Sequence, residues 1–290
     1  MVILPAPSDS LSLRLCPAPG RLGSVTTTSD PDALQIEREL RAAGSPGQAA
    51  SEQNYLKSCL EFAGTTVPAT RAIVAGWRRA HPELTGQRLT ELAAALWAGP
   101  IFECRLAAII LLTDRRSLLT ARDAPFVADL LRTAGTWALV DGLAADVMGS
   151  LVERFPELLG VLDGWAIDDD FWLRRSAMLA LLVPLRRGEL ASWPRFAGYA
   201  DAMLTEREFF IRKAIGWILR ETAKKHPDLV ADWLGPRLHR VSGVTLREAV
   251  RWLPAAHRDR LLAGYAAAAQ RTGRRPRPTT GPVTRKRAAP

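Results

Sequence analysis

The chain has almost none of the period-2 alternation of β-branched residues that marks strands, so a sheet protein is excluded. Its three cysteines, Cys16, Cys59 and Cys104, are odd in number and far apart. That spacing excludes a disulfide framework or a zinc cluster and fits a reduced cytosolic protein. The four histidines, His81, His226, His239 and His257, lack metal-ligand spacing, so no metal is expected. Two of them precede a proline at a helix end, a position that suits capping. No apolar run approaches bilayer-spanning length, Ala107 to Leu112 being far too short. The start, Met1-Val2-Ile3-Leu4-Pro5, has no basic segment before an apolar stretch, so neither a membrane segment nor a signal peptide is expected. There is no phosphate-cradling glycine loop and no nucleophile elbow, and no cofactor is expected.

What the chain does have is alanine, leucine and arginine in quantity, which points to an all-α protein with a real core. The formal charge of +9 is concentrated at one end. Arg271, Arg274, Arg275, Arg277, Arg285, Lys286 and Arg287 sit in the last twenty residues with no acid among them. A solvated basic terminus and a polyanion-binding tail both fit that pattern.

Residues 1–31 are rich in Pro, Ser, Thr and Gly and read as a disordered arm, with Asp30 or Asp32 capping a first helix over Ala33 to Ala43. A second helix is expected from about Ala49 to Phe62, carrying Tyr55 and Lys57. From there one form recurs: a polar or charged residue near a helix start, then small and large apolar residues. Its members are Arg71, Arg105, Asp141, Arg175, Lys213 and Arg247, spaced by 34 to 38 residues. That is the period of two-helix solenoid units of the HEAT, armadillo or TPR kind. Pro82-Glu83-Leu84, Pro156-Glu157-Leu158 and Pro227-Asp228-Leu229 repeat at twice the period, each stopping one helix and able to open the next. The expected architecture is a superhelical solenoid of HEAT-like repeats over residues 32–266 with a concave basic groove, followed by a disordered tail over 267–290.

Equivalent positions of a solenoid stack in a row. The row from Arg71 to Arg247 fits a ladder of inter-repeat salt bridges, and it also fits sequence-independent phosphate binding. Its one carboxylate, Asp141, repels phosphate and needs another reason. Trp137 and Asp141 are spaced i, i+4 and share a helix face, and Arg175 occupies the next repeat's slot. An indole, a carboxylate and a guanidinium in one patch suit a developing positive charge beside an anionic backbone, as in glycosidic bond cleavage. A core tryptophan beside a buried Asp–Arg bridge is the plain structural alternative. Trp97, Trp165, Trp193, Trp233 and Trp252 read as packing between helices.

The segment Glu208-Phe209-Phe210-Ile211-Arg212-Lys213-Ala214-Ile215-Gly216-Trp217-Ile218-Leu219-Arg220-Glu221 resembles the signature helix of the AlkD-type DNA alkylation-repair glycosylases. So do Trp172-Leu173-Arg174-Arg175-Ser176-Ala177, Trp137 through Asp141, Tyr55-Leu56-Lys57 and Leu246-Arg247-Glu248-Ala249, in family order. The resemblance implies a solenoid that holds duplex DNA and hydrolyses the N-glycosidic bond of cationic N3- and N7-alkylpurines, without flipping the base. It makes Asp141 the catalytic carboxylate, Trp137 the aromatic on the sugar and Arg175 the phosphate-holding partner. Trp217 and Tyr55 become flanking aromatic contacts. Lys57, Arg71, Arg105, Arg174, Lys213 and Arg247 complete the expected DNA-binding set. The implied protein is a monomer of the cytoplasm, associated with the nucleoid. The alternative from the residues is a non-catalytic repeat scaffold for DNA or protein.

Overall fold

The computed structural model describes residues 30–271; the N-terminal arm up to residue 29 and the tail from residue 272 lie outside the described residues. Among the described residues the protein is all-α, and its one β contact is an isolated parallel bridge between Glu61 and Ile101.

The first helix, α1 (Pro31–Ala43), starts where a cap was expected. The Asp30 carboxylate accepts the backbone N–H groups of Asp32 and Ala33 and is gripped by Arg88. The second helix, α2 (Pro46–Leu56), ends well before Phe62, the expected limit. Lys57 stops it in the left-handed region (φ 49°), and the Ser58 hydroxyl then accepts Leu60 N–H to hold a turn. The connection onward is pinned from within the core. Glu103, fully buried, accepts N–H groups from Ala63, Gly64 and Thr65 at 2.9, 2.6 and 3.2 Å. A buried carboxylate is tolerated there because three backbone donors satisfy it.

Two rows of helices follow. The front row is α3 (Val67–Ala80), α5 (Phe102–Asp114), α7 (Trp137–Gly142), α8 (Gly149–Arg154), α10 (Phe171–Leu179), α13 (Phe209–Ala223) and α15 (Gly243–Ala249). Neighbours in this row pack side by side. Behind it stand α4 (Gly86–Ala98), α6 (Ala124–Arg132), α9 (Leu159–Trp165), α12 (Trp193–Ala202), α14 (Pro227–Leu234) and α16 (Ala255–Arg271), with α11 (Leu182–Arg187) prolonging α10 past a break at Ala180. This is the expected helical-repeat fold. The last helix runs on to Arg271, beyond residue 266, where the repeat domain was expected to end.

Burial follows the apolar periodicity. In α5, the stretch from Phe102 to Leu112 is apolar except at Glu103 and Arg105, which gives a helix that is almost wholly enclosed. The segment α7–α8 is one continuous helix whose middle, Leu143–Met148, is a π-turn, with i→i+5 hydrogen bonds. Gly216 in α13 permits the closest approach of the next repeat. A Cβ there would stand 2.8 Å from the Thr245 carbonyl oxygen and 2.7 Å from Glu248 Cβ.

Cys104 is a buried free thiol, pushed up to about 12 by its burial. Cys59 is disulfide-bonded, so the expectation of reduced thiols does not hold at that position. Of the five tryptophans assigned to packing, Trp252 departs from that role: it is 57% exposed, on the 3-10 turn Val250–Trp252 that closes the front row among the described residues.

Candidate active site

The Asp141–Arg175 pair is the centre of the front row. Asp170 starts α10 by accepting Trp172 N–H at 2.8 Å, which sets the rotation of the helix and turns Arg175 inward. Arg175 donates from Nε to Asp141 Oδ1 at 2.8 Å and from Nη2 to Oδ2 at 2.9 Å, a two-pronged contact between adjacent repeats. Its remaining nitrogen, Nη1, donates to the Phe210 carbonyl at 2.5 Å, and the guanidinium lies 5.9 Å from the Phe210 ring centroid. The Arg175 side chain is 1% exposed and Asp141 is 12% exposed. All the arginine's nitrogens are therefore used inside the protein, and the open side of the pair belongs to the carboxylate. Burial pushes the Asp141 carboxyl above its ordinary range, while the charge and hydrogen bonds of Arg175 pull it back.

Trp137 is the first residue of α7, one turn before Asp141, and is nearly buried. Tyr55 of α2 meets it edge-to-face at a centroid distance of 6.0 Å. Trp217, one turn beyond Lys213 in α13, is buried as well. The structure thus pairs Tyr55 with Trp137 and Arg175 with Asp141, and Trp137 and Asp141 lie one turn apart on α7.

The rest of the predicted cation row divides in two. Arg105 is half-buried, donates to the carbonyls of Gly99 and Thr133, and stacks 5.3 Å over the Trp97 ring. Its burial pulls its pKa down. Arg174 is held by Glu206 in a two-pronged contact and by the carbonyls of Asp168 and Asp169. Lys213 donates to Glu248 at 2.9 Å, and burial together with the nearby Arg220, Arg251, Arg175 and Arg247 lowers its pKa. Three of the cations are thus committed to partners of the next segment, as a ladder of inter-repeat contacts requires. Arg71, Arg247 and Lys57 remain exposed.

One ionisable residue at the centre escapes a reading by repeat position. Asp146 lies in the π-turn, half-buried, where its burial raises its pKa. Arg186, Arg71 and Arg116 surround it at electrostatic range, and it acts in turn on Asp141. Asp146 lies five residues after Asp141 inside the stretch whose ladder is i→i+5, so the π-turn sets its rotation about the helix relative to Asp141. Among the described residues there is no group of three or more His, Cys, Asp or Glu placed to hold a metal ion.

A family described as DNA alkylation repair enzyme matches residues 36–253. A structure described as a predicted DNA alkylation repair enzyme from Enterococcus faecalis is similar at 24% identity and a TM-score of 0.65, covering 73% of this chain and 97% of its own. AlkD2 from Streptococcus mutans is similar at 17% identity and a TM-score of 0.51, covering 73% of this chain and 100% of its own. The smu.31 protein of Streptococcus mutans UA159 is similar at 16% identity and a TM-score of 0.53, over 77% of this chain and 100% of its own. At these identities the structures speak to the fold; no curated protein sequence matches. The family match, which spans most of the chain and every segment that forms the site, α2 included, carries the assignment: the chain belongs to the DNA alkylation repair enzymes.

Proposed function

We propose that the protein is a DNA glycosylase that releases N3- and N7-alkylated purines, such as 3-methyladenine and 7-methylguanine, from duplex DNA. The observation that carries this reading is the fixing of Asp141: both carboxylate oxygens are held by Arg175, and the carboxylate, unlike its partner, keeps some exposure to solvent, one helical turn from Trp137. A carboxylate locked in place needs no reorganisation when positive charge develops in front of it. The alkylated base is cationic, so the N-glycosidic bond breaks with its electron pair leaving on the base, which becomes neutral. The deoxyribose passes through an oxocarbenium-like state. Asp141 stabilises that cation and aligns a water whose oxygen adds at the sugar and whose proton is released. Trp137, backed by Tyr55, packs on the sugar. Arg175 is a positioning residue, because its buried guanidinium touches the carboxylate and not the solvent.

In this reading residues 32–266 act as one unit and as a monomer, on the DNA of the nucleoid in the cytoplasm, with no flipping of the base. No described helix is long and apolar enough to cross a membrane. The near-complete burial of Trp137 and Arg175 favours a second reading, a scaffold that holds DNA or protein without chemistry.

The test is release of methylated bases from methylated duplex DNA by the wild type and by Asp141→Asn. The expected result is release by the wild type and a fall of about 10²-fold or more in the variant, with DNA binding kept. Equal release by both removes Asp141 from the mechanism. No release by a wild type that binds the duplex leaves the scaffold.

A further inference from the structure

The C-terminal ends of the front-row helices form one continuous edge. Arg78 at the end of α3 pairs with Asp114 at the end of α5 at 2.9 Å. Arg154 at the end of α8 reaches back to the Arg116 carbonyl just past α5 at 2.5 Å. Arg187 at the end of α11 pairs with Glu153 at 2.7 Å, and Lys225 after α13 donates to the Arg187 carbonyl at 2.7 Å. Lys224 lies 5.8 Å from the ring centroid of Trp252, at the end of the row. Five links of this kind tie the edge together from residue 78 to residue 252.

That edge carries more positive charge than it can neutralise. Asp114, Glu153 and Glu221 are each taken by a cation already, Arg78, Arg187 and Lys224 respectively. Arg79, Arg116, Arg154, Arg186 and Arg251 are all exposed, and none forms an ion pair with a carboxylate among the described residues. Asp146 interacts with Arg116 and Arg186 only electrostatically, without an ion pair. The helix dipole favours a basic residue at such an end, which explains isolated cases. It does not explain surplus cations on successive repeats. The row through Asp141 is the opposite case, since Arg105, Arg175 and Lys213 are neutralised or bound within the protein.

We infer that this edge is a second rail for the phosphodiester backbone of a DNA duplex and holds the strand opposite the one at Asp141. The inference rests on the DNA-binding reading of the front face. Asp141 and Arg154 stand at opposite ends of one helix, roughly 20 Å apart at about 1.5 Å per residue, which is close to the width of a B-form duplex. Trp252, exposed at the end of the edge, adds a flat apolar face against the deoxyribose.

The experiment combines Arg79→Gln, Arg186→Gln and Arg251→Gln, three side chains without a hydrogen bond or ion pair among the described residues, in the full chain. Affinity for an undamaged duplex and for a single strand of equal length is measured as a function of salt. Each lost phosphate contact lowers the slope of log K against log salt by about 0.9, so the duplex slope falls by about 2 to 3 and affinity near 0.1 M salt by on the order of 10²-fold. Single-strand binding stays at the wild-type level. An unchanged duplex slope in a variant with wild-type melting overturns the rail. An equal loss on the single strand overturns the assignment to the opposite strand. A wild type that binds no duplex at all overturns the DNA-binding reading itself.

Discussion

The Asp141–Arg175 pair makes a prediction about sign that a simple loss-of-contact argument does not make. In Asp141→Asn, a guanidinium that is 1% exposed loses its counter-charge and one of two strong acceptors, while its own charge stays buried. Removing one member of a buried pair costs about 3 to 5 kcal/mol, and we take the lower end because asparagine keeps one acceptor oxygen. In the double variant Asp141→Asn with Arg175→Met, the buried charge is gone as well. The Phe210 carbonyl that Arg175 capped loses that donor but keeps its place in α13, and the thioether fills most of the vacated space. The double change should cost only about 1 kcal/mol. The second substitution therefore rescues the first by about 2 kcal/mol, which for a domain of this size is about 4 to 8 °C in Tm. Thermal melting of wild type, both single variants and the double at neutral pH completes the cycle. Base release should remain abolished in the double variant, which separates folding from chemistry. A double variant melting at or below Asp141→Asn would refute the reasoning, because the arginine would then not depend on the carboxylate.

Further outcomes follow from other buried groups. Burial, with Glu103 nearby, holds the Glu52 carboxyl above its ordinary range, so the folded state binds its proton more tightly than the unfolded one. Stability is therefore lost as pH rises from about 4.5 through the raised folded value, and Glu52→Gln, which mimics the protonated form, should melt higher than wild type at pH 7 and equal to it below pH 4; equal melting at both pH values would contradict this. Gly216→Ala places a methyl group against the Thr245 carbonyl oxygen and should cost about 1 to 3 kcal/mol by denaturant unfolding, whereas a neutral change would mean that α13 and α15 can separate freely.

The repeat order was legible because each repeat spends a polar residue at the same point of its front helix, and spacing alone recovers that. The helix start at Asp30 was legible for the same reason, a local cap with a local partner. Partners far along the chain were not. The carbonyls that bind Arg105 belong to Gly99 and Thr133, and backbone acceptors leave no mark in the sequence. Arg175 resembled a phosphate ligand by its position, yet Phe210 of the following repeat closes over its last nitrogen. The end of α2 was placed too late because Lys57 adopts a left-handed conformation that its residue type does not announce. The exposed Trp252 was unreadable because residue type does not mark which side of the short turn Val250–Trp252 is left uncovered.

The π-turn at Leu143–Met148 divides one helix into two segments with separate phases. It is equivalent to one extra residue inserted into an α-helix, so excising a single residue there would let regular winding resume. Everything after the excision would then swing by about 100° around the helix axis while Trp137 and Asp141 stayed where they are. Gly149, whose Cβ would stand 2.9 Å from the Ala180 carbonyl oxygen, would leave its contact, and Arg154 would leave the carbonyls of Arg116 and Ser117. The insertion thus acts as a phase shifter, allowing the carboxylate end and the arginine end of the same rod to be aimed independently.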